Sequence, residues 1–297
     1  MNNLFGEIAA LGTALCWSIG SVFFTISSRR IGHHVVNRLR LVVGLILLSI
    51  THYAITGQPI PQEVTPYHWF WFGLSGIIGF AIGDTMLFKS FVLIGPRLSM
   101  LMMALVPIFS TLIAWLFLHE ALGMTDILAI AVTLIGICWV VLSRSKTTNK
   151  IDHYAIGLLF GIGGALGQAL GLILSKQGLA NNFPALDGNI IRIFTAAIVV
   201  WLISLIRGTV PMTFRSLKDK KAALAMGAGA FLGPFLGVWF SLIAVQLTYV
   251  GIASTMMALP PVFLIPLSYL VFKEKITLAA ILGTIVTVIG VALIFLL

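Results

Sequence analysis

Only nine carboxylates occur among the 297 residues, and Asp84 is the one set deep in an apolar run, in Gly83-Asp84-Thr85. An ionisable group at mid-membrane depth costs about 3 kcal/mol or more unless water or a partner meets it. Asp84 therefore faces a cavity or pairs internally. It could be a structural hydrogen-bonding group between helices, or a site for a proton or a cationic substrate. Lys89 falls elsewhere around the same helix and nearer its end, which suits snorkelling better than pairing with Asp84. Arg40 and Arg192 stand at matching places near the starts of two other apolar runs, as interfacial anchors or as vestibule cations that draw anionic groups. Trp17, Ser18, Ser21, Gln168, Trp239, Ser241 and Gln246 supply polar edges and aromatic faces within further runs. A glutamine in lipid needs a partner, so Gln168 faces the bundle or a wet cavity. Methionines and aromatics along a cavity suit an apolar or cationic ligand, although plain packing explains each of them as well.

Enzyme chemistry finds little here. Gly73-Leu74-Ser75-Gly76 has the string of an intramembrane serine protease, but the six histidines lie at helix ends or in loops, away from any role as its base. Ala81-Ile82-Gly83-Asp84 lacks both the first glycine and the second mid-membrane acid of an aspartyl dyad. There is no His-Glu-x-x-His string and no phosphate-binding loop. Cys16 and Cys138 sit in apolar runs as small hydrophobes, so neither a metal site nor a cofactor is expected.

The elements that position these residues follow from composition. Hydrophobic residues make up 59% and charged residues 9% of the chain, and mean hydropathy is +1.09. A soluble domain carries about 25% charged residues, so lipid must solvate this surface. Net charge is +9, but the basic residues sit in short loops without interleaved aromatics, which excludes nucleic acid as a partner. Windows of about 20 apolar residues predict ten spans, at 4–26, 35–55, 67–94, 97–118, 124–142, 154–176, 188–206, 222–247, 251–272 and 276–296. The first is read as a membrane helix, not a cleaved leader. Residues 1–142 form one half, 143–153 a polar linker and 154–297 a second half.

The halves repeat. Met102-Met103-Ala104-Leu105-Val106-Pro107-Ile108-Phe109 returns 154 residues later as Met256-Met257-Ala258-Leu259-Pro260-Pro261-Val262-Phe263. At that offset Gly79 and Gly83 match Gly233 and Gly237, Thr133 and Gly136 match Thr287 and Gly290, and Asp84 matches Val238. Asn37-x-x-Arg40 matches Asn189-x-x-Arg192. Five spans per half invert the second half across the membrane, an arrangement that encloses a midplane site. Small residues every four positions, such as Gly163, Gly167 and Gly171, suit close helix packing. Prolines within the repeated motif are expected to break spans four and nine, so that Met102, Pro107, Met256 and Pro260 shape the cavity wall. Glu120 and Glu274 fit as caps of the spans that follow them. Nearly all Lys and Arg, Arg38 and Arg40 counted among them, fall in loops after odd-numbered spans, which places those loops in the cytoplasm.

These features resemble the drug/metabolite transporter superfamily, specifically its EamA-type members. The resemblance covers essentially the whole chain and is carried by the proline motifs, the ends Leu118-His119-Glu120 and Phe272-Lys273-Glu274, and Gly136 and Gly290. It implies a central cavity lined by spans one to four and six to nine, and secondary transport of small metabolites, often export. Related small multidrug exporters carry a glutamate within their first span. Here Glu7 lies in its first turn, so Asp84 is the buried acid available for coupling. Many members of the superfamily keep both termini inside, whereas the charge distribution here argues for both outside.

The expectation is an all-α membrane protein of ten spans in two inverted five-helix repeats. It would be a secondary transporter, in the exporting direction, of small metabolites or drug-like solutes, with protons or exchange as the drive, in a plasma membrane such as a bacterial inner membrane. The candidate substrate or ion site comprises Asp84, Trp17, Ser18, Ser21, Met102, Pro107, Gln168, Trp239, Met256 and Pro260, with Arg40 and Arg192 at the vestibule or as anchors. A lipid-linked carrier flippase of the same fold and a non-transporting scaffold are the other classes these features fit.

Overall fold

The computed structural model describes residues 2–118, 123–142, 151–180, 183–247, 256–273 and 276–296, and all its regular elements are helical. Glu120, Glu274 and most of the predicted linker lie outside the described residues. Helix α1 (Asn2–Ile31) turns into α2 (His33–Thr56) through Gly32 alone, whose φ of 89° only glycine adopts without strain. Gly57 then closes α2 in the left-handed conformation, its N–H bonded to the Tyr53 carbonyl.

The next rod runs from residue 66 to 102 as α3 (Pro66–Gly76), a π-helical segment Ile77–Gly83, and α4 (Asp84–Met102). Within α4 the backbone breaks at Gly95 (φ 81°) before Pro96, where spans three and four were expected to part. After α5 (Leu105–Leu118), α6 (Met124–Leu142), α7 (Ile151–Gly178) and α8 (Ala185–Ile206) comes the short α9 (Val210–Ser216). A second composite rod follows: α10 (Lys220–Ala230), a π segment Phe231–Gly237 and α11 (Val238–Leu247). The described chain closes with α12 (Pro260–Phe272) and α13 (Leu278–Leu296). The two π segments stand 154 residues apart, so the duplication extends to an uncommon backbone form that concentrates at functional positions.

Six stretches are long and apolar enough to cross a membrane: Leu4–Ile31, His33–Thr56, Pro66–Met102, Tyr154–Gly178, Ala185–Ile206 and Lys220–Ala244. Ile127–Val141, Pro260–Phe272 and Leu278–Leu293 are shorter apolar helices. Side chains such as Leu224 and Ile206, 77% and 84% exposed, form outer faces that only lipid can solvate.

The repeated proline motif corrects the sequence reading. Pro107 and Pro260 do not interrupt the middle of a span. They stand in the first turn of α5 and α12, where no helical partner for their absent N–H is needed. The breaks precede them: Ala104 N–H reaches the Leu101 carbonyl at 3.0 Å, and Leu259 N–H reaches Met256 at 3.3 Å. Residues 97–102, expected in span four, therefore belong to α4.

The halves interlock. Helix α1 packs on the rod α10–π–α11, while α7 packs on α3–π–α4. At the second crossing glycine meets glycine: a Cβ on Gly167 would stand 2.7 Å from the Gly83 Cα, and one on Gly171 3.0 Å from the Gly79 Cα. At the first, aromatic rings fill the gap, with Phe24 against Gly229 and Gly233 and the Trp17 ring against Gly237. Helices α6 and α13 cross reciprocally, Gly136 on Thr287 and Gly290 on Thr133, which is what a two-fold relation between repeats requires.

Candidate functional site

The first π segment delivers Asp84. A π turn carries one more residue than an α turn, and the Asp84 N–H reaches back to the Gly79 carbonyl. The Gly79 carbonyl also accepts from Gln168 Nε2 at 3.3 Å, and the Phe80 carbonyl accepts from Asn37 Nδ2 at 3.0 Å. The second π segment repeats this device, Asn189 Nδ2 donating to the Pro234 carbonyl at 3.2 Å. Matched asparagines in α2 and α8 thus satisfy matched carbonyls in the two rods.

Asp84 is buried and both of its oxygens are used. Arg40 Nη2 donates to Oδ2 in an ion pair, and Gln168 Nε2 donates to Oδ1. Arg40 Nε in turn donates to Asn37 Oδ1 at 2.9 Å, and Asn37 Nδ2 also donates to Thr85 Oγ1 at 2.7 Å. The Arg40 guanidinium lies over three rings, Phe88, Phe80 and Phe24, at 4.8, 5.7 and 5.8 Å from their centroids. Arg192 enters from α8 with its guanidinium 4.5 Å above the Phe80 ring, and its charge reaches Asp84. Its backbone is wedged against α3, because a Cβ on Gly76 would collide with the Arg192 carbonyl. Helices α2 and α4 of one half and α7 and α8 of the other therefore converge on one carboxylate.

This changes the expected roles of the arginines. Arg40 and Arg192 are neither interfacial anchors nor open vestibule cations, being only 3% and 4% exposed. Arg38 and Arg40 also leave the loop-charge count, since both are buried within α2; Arg38 Nη1 donates to Ser204 Oγ and, at 3.1 Å, to Thr209 Oγ1. Nearness to a helix start reads as loop in a sequence, but α2 begins at His33 and its first turns are already covered by α8 and α9.

Of the other candidates, Gln168 alone joins Asp84 through a side-chain bond. Ser18 and Ser21 turn inward on their own helix, their hydroxyls donating to the Ala14 and Ser18 carbonyls at 2.6 and 2.8 Å. Trp17 packs beside the Phe24–Phe88 cluster, and Trp239 beside Phe235 in another. Met102 is core, against Gly161, and Pro107 and Pro260 are buried; Met256 packs near Trp17. The Gln246 side chain lies outside the described residues. Phe24, Phe80 and Phe88, which the sequence reading missed, complete the site. Phe80, Asp84 and Phe88 recur at four-residue steps, a signal hidden among 20 phenylalanines.

Two contacts sit towards opposite ends of the α2–α8 pair: Arg38 with Ser204 and Thr209, and His52 Nε2 with Asp187 Oδ1 at 3.1 Å. A surface cleft of about 430 Å³ lies apart from Asp84, lined by Arg30, Ile31, Gly32, Met212, Arg215, Ser216 and Asp219.

Two interlocked helical repeats around a buried, charged hydrogen-bond cluster define a multi-pass membrane protein of the duplicated-transporter class. The chain belongs to the EamA-like transporter family, whose model matches residues 4–142 and again 155–296. A crystal structure of a protein 17% identical to this chain has the same fold, with a TM-score of 0.69 over 98% of this chain and 96% of the other. No curated protein matches the chain in sequence.

Proposed function

We propose that this protein is a secondary active transporter that exports small metabolites or drug-like solutes across the plasma membrane by alternating access between its halves. The observation that carries this reading is the Arg40–Asp84–Gln168 cluster, a buried ionic network assembled from both halves. Buried pairs of this kind add little net stability over apolar packing, so their place in a membrane core is better explained by function. In the arrangement described, Asp84 is already neutralised by Arg40. Its part in transport is to exchange partners: a proton or a substrate group competes with Arg40, the pair loosens, and the helices it ties can separate.

The scaffold supports rocking of this kind. Where glycine meets glycine between α7 and the first composite rod the contact is smooth, and the side-chain bonds that tie the two there are few, Gln168 to Asp84 and Ser75 to the Gly171 carbonyl among them. The Arg38–Ser204 and His52–Asp187 contacts would close the two ends of α2–α8 and open in turn. Residues 1–142 and 154–297 act as the moving units, joined by 143–153. Loops after odd-numbered spans lie in the cytoplasm, and the bias of Lys and Arg towards them persists without Arg38 and Arg40. The test is ligand-dependent thermal stabilisation of purified protein across a metabolite panel, followed by uptake of each hit into proteoliposomes under an imposed proton gradient. Saturable stabilisation and gradient-driven uptake of the same solute are expected. A protein that moves no solute but scrambles lipid-linked carriers would be a flippase, and one that does neither would be a scaffold.

A further inference from the structure

The repeat shows what is missing around Arg192. In the first half Asn37 Oδ1 accepts from Arg40 Nε, and Asp84 Oδ2 accepts from Arg40 Nη2. In the second half Val238 stands where Asp84 stands, and the equivalent bond is not made: Asn189 Oδ1 and Arg192 Nε are both buried without a hydrogen-bond partner. Arg192 is 96% buried, and among the described residues its guanidinium donates no hydrogen bond and lies over the Phe80 face. Asp84 has already spent both oxygens on Arg40 and Gln168. The cluster therefore holds two guanidiniums and one carboxylate, one positive charge in excess, and Arg192 is the guanidinium without a hydrogen-bonded acceptor among the described residues. An uncompensated buried charge is costly, and a planar guanidinium is shaped for the two oxygens of an oxyanion. Position 79 beside it is glycine, and a methyl group there would meet Arg192 Nη2 at 3.7 Å, in ordinary contact, so the glycine leaves a gap of methyl size next to the guanidinium.

We infer that Arg192 is the docking group for an oxyanion, the carboxylate or phosphate of the transported solute, which supplies the counter-charge that Val238 withholds. This rests on the transporter reading for the identity of the ligand, but not for the existence of the site. The Arg40–Asp84 pair would still be formed when the anion docks, and its loosening belongs to the transport step that follows. The inference reverses the expectation of a cationic substrate at Asp84.

The test uses the full chain in detergent. Thermal unfolding is followed for the wild type, Arg192→Gln, Arg192→Lys and Arg40→Gln, first without ligand. Aliphatic and aromatic carboxylates, amino acids and phosphate monoesters are then titrated in, each beside its neutral amide or alcohol, with chloride and a cationic amine as further arms. Without ligand, Arg192→Gln should melt at or above the wild-type temperature, because it removes an unpaired charge, whereas Arg40→Gln should melt lower. At least one organic anion should raise the wild-type melting temperature saturably while its neutral counterpart does not. Its affinity should fall at least about tenfold in Arg192→Gln and less in Arg192→Lys. Carboxylate against phosphate arms then distinguish the two sources of the oxyanion. The inference is overturned if Arg192→Gln melts as low as Arg40→Gln, if anion binding survives in Arg192→Gln, if chloride does as well as any organic anion, or if only neutral or cationic solutes, or none, stabilise the protein. Reconstitution separates the two readings. Transport of a neutral or cationic solute would leave the transporter standing without the anion site, and anion binding without movement of any solute would leave the site without the transporter.

Discussion

Asp84 holds the centre of the protein through two bonds of different kinds, and substitutions separate them. Asp84→Ala leaves Arg40 and Arg192 facing one carboxylate fewer in a buried environment, a change expected to cost about 3–5 kcal/mol, read as a lower melting temperature. Replacing Arg40 and Asp84 together by leucine should recover much of that loss, because apolar packing substitutes well for a buried pair once both charges are gone. A double mutant as unstable as Asp84→Ala would show that the surrounding phenylalanines, not the ion pair, set the stability. Asp84 and Gln168 were legible in the sequence because a polar group in an apolar run has nowhere to go but a partner. Arg40 was not, since an arginine at the eighth residue of a helix looks the same whether it points out to a loop or in towards the bundle. The phenylalanine box was invisible for a different reason: in a chain this apolar, one ring near a charge cannot be told from the rest.

Helix crossings make predictions of opposite sign. Gly167→Ala drives a methyl group to 2.7 Å from the Gly83 backbone, with no flexible side chain to yield, and overpacking of this kind costs about 1–3 kcal/mol. Gly227→Ala meets nothing within 4 Å and lies inside α10, so it should stabilise by about 0.5–1 kcal/mol through helix propensity alone. Melting temperatures of the two variants should therefore move apart, and equal shifts would contradict the close α7 crossing. At the start of α10, Asp219 accepts from Arg30 Nε at 2.8 Å and from the Ala222 N–H at 3.1 Å, and these bonds hold its carboxyl below the usual carboxylate range. The lowered value means that this contribution to stability is complete above the ordinary Asp range and fades as pH falls through the lowered one. Asp219→Asn should therefore lose stability at neutral pH and lose less than the wild type on acidification, which a melting series against pH would show. The glycine ridges were readable as four-residue steps. The π segments were not, because nothing in Ile77–Gly83 marks an extra residue in the turn until Asn37 and Gln168 are seen taking up its carbonyls.

At the scale of the whole molecule, duplication was the most legible property and its consequence for packing the least. Matches at one fixed offset announce two copies, but not that α1 packs against the second half and α7 against the first. Nor did the repeated proline motif show its place: it reads as a kinked span and folds as the start of a new helix in each half. What the copies do not share is as telling as what they do. One crossing is glycine on glycine and the other is spaced by Trp17 and Phe24, and one half carries Asp84 where the other carries Val238. On the proposed mechanism the symmetric scaffold would provide the motion and the asymmetric residues the site. The central claim, that solute crosses the membrane through partner exchange at Asp84, is tested most directly by counterflow in proteoliposomes, with a solute that stabilises the purified protein. Asp84→Asn should cut the counterflow rate at least about tenfold, through loss of the charge that binds Arg40, while Gly227→Ala, reconstituted alongside, runs at the wild-type rate. Wild-type counterflow in Asp84→Asn would contradict the account and leave the cluster a structural tie between helices.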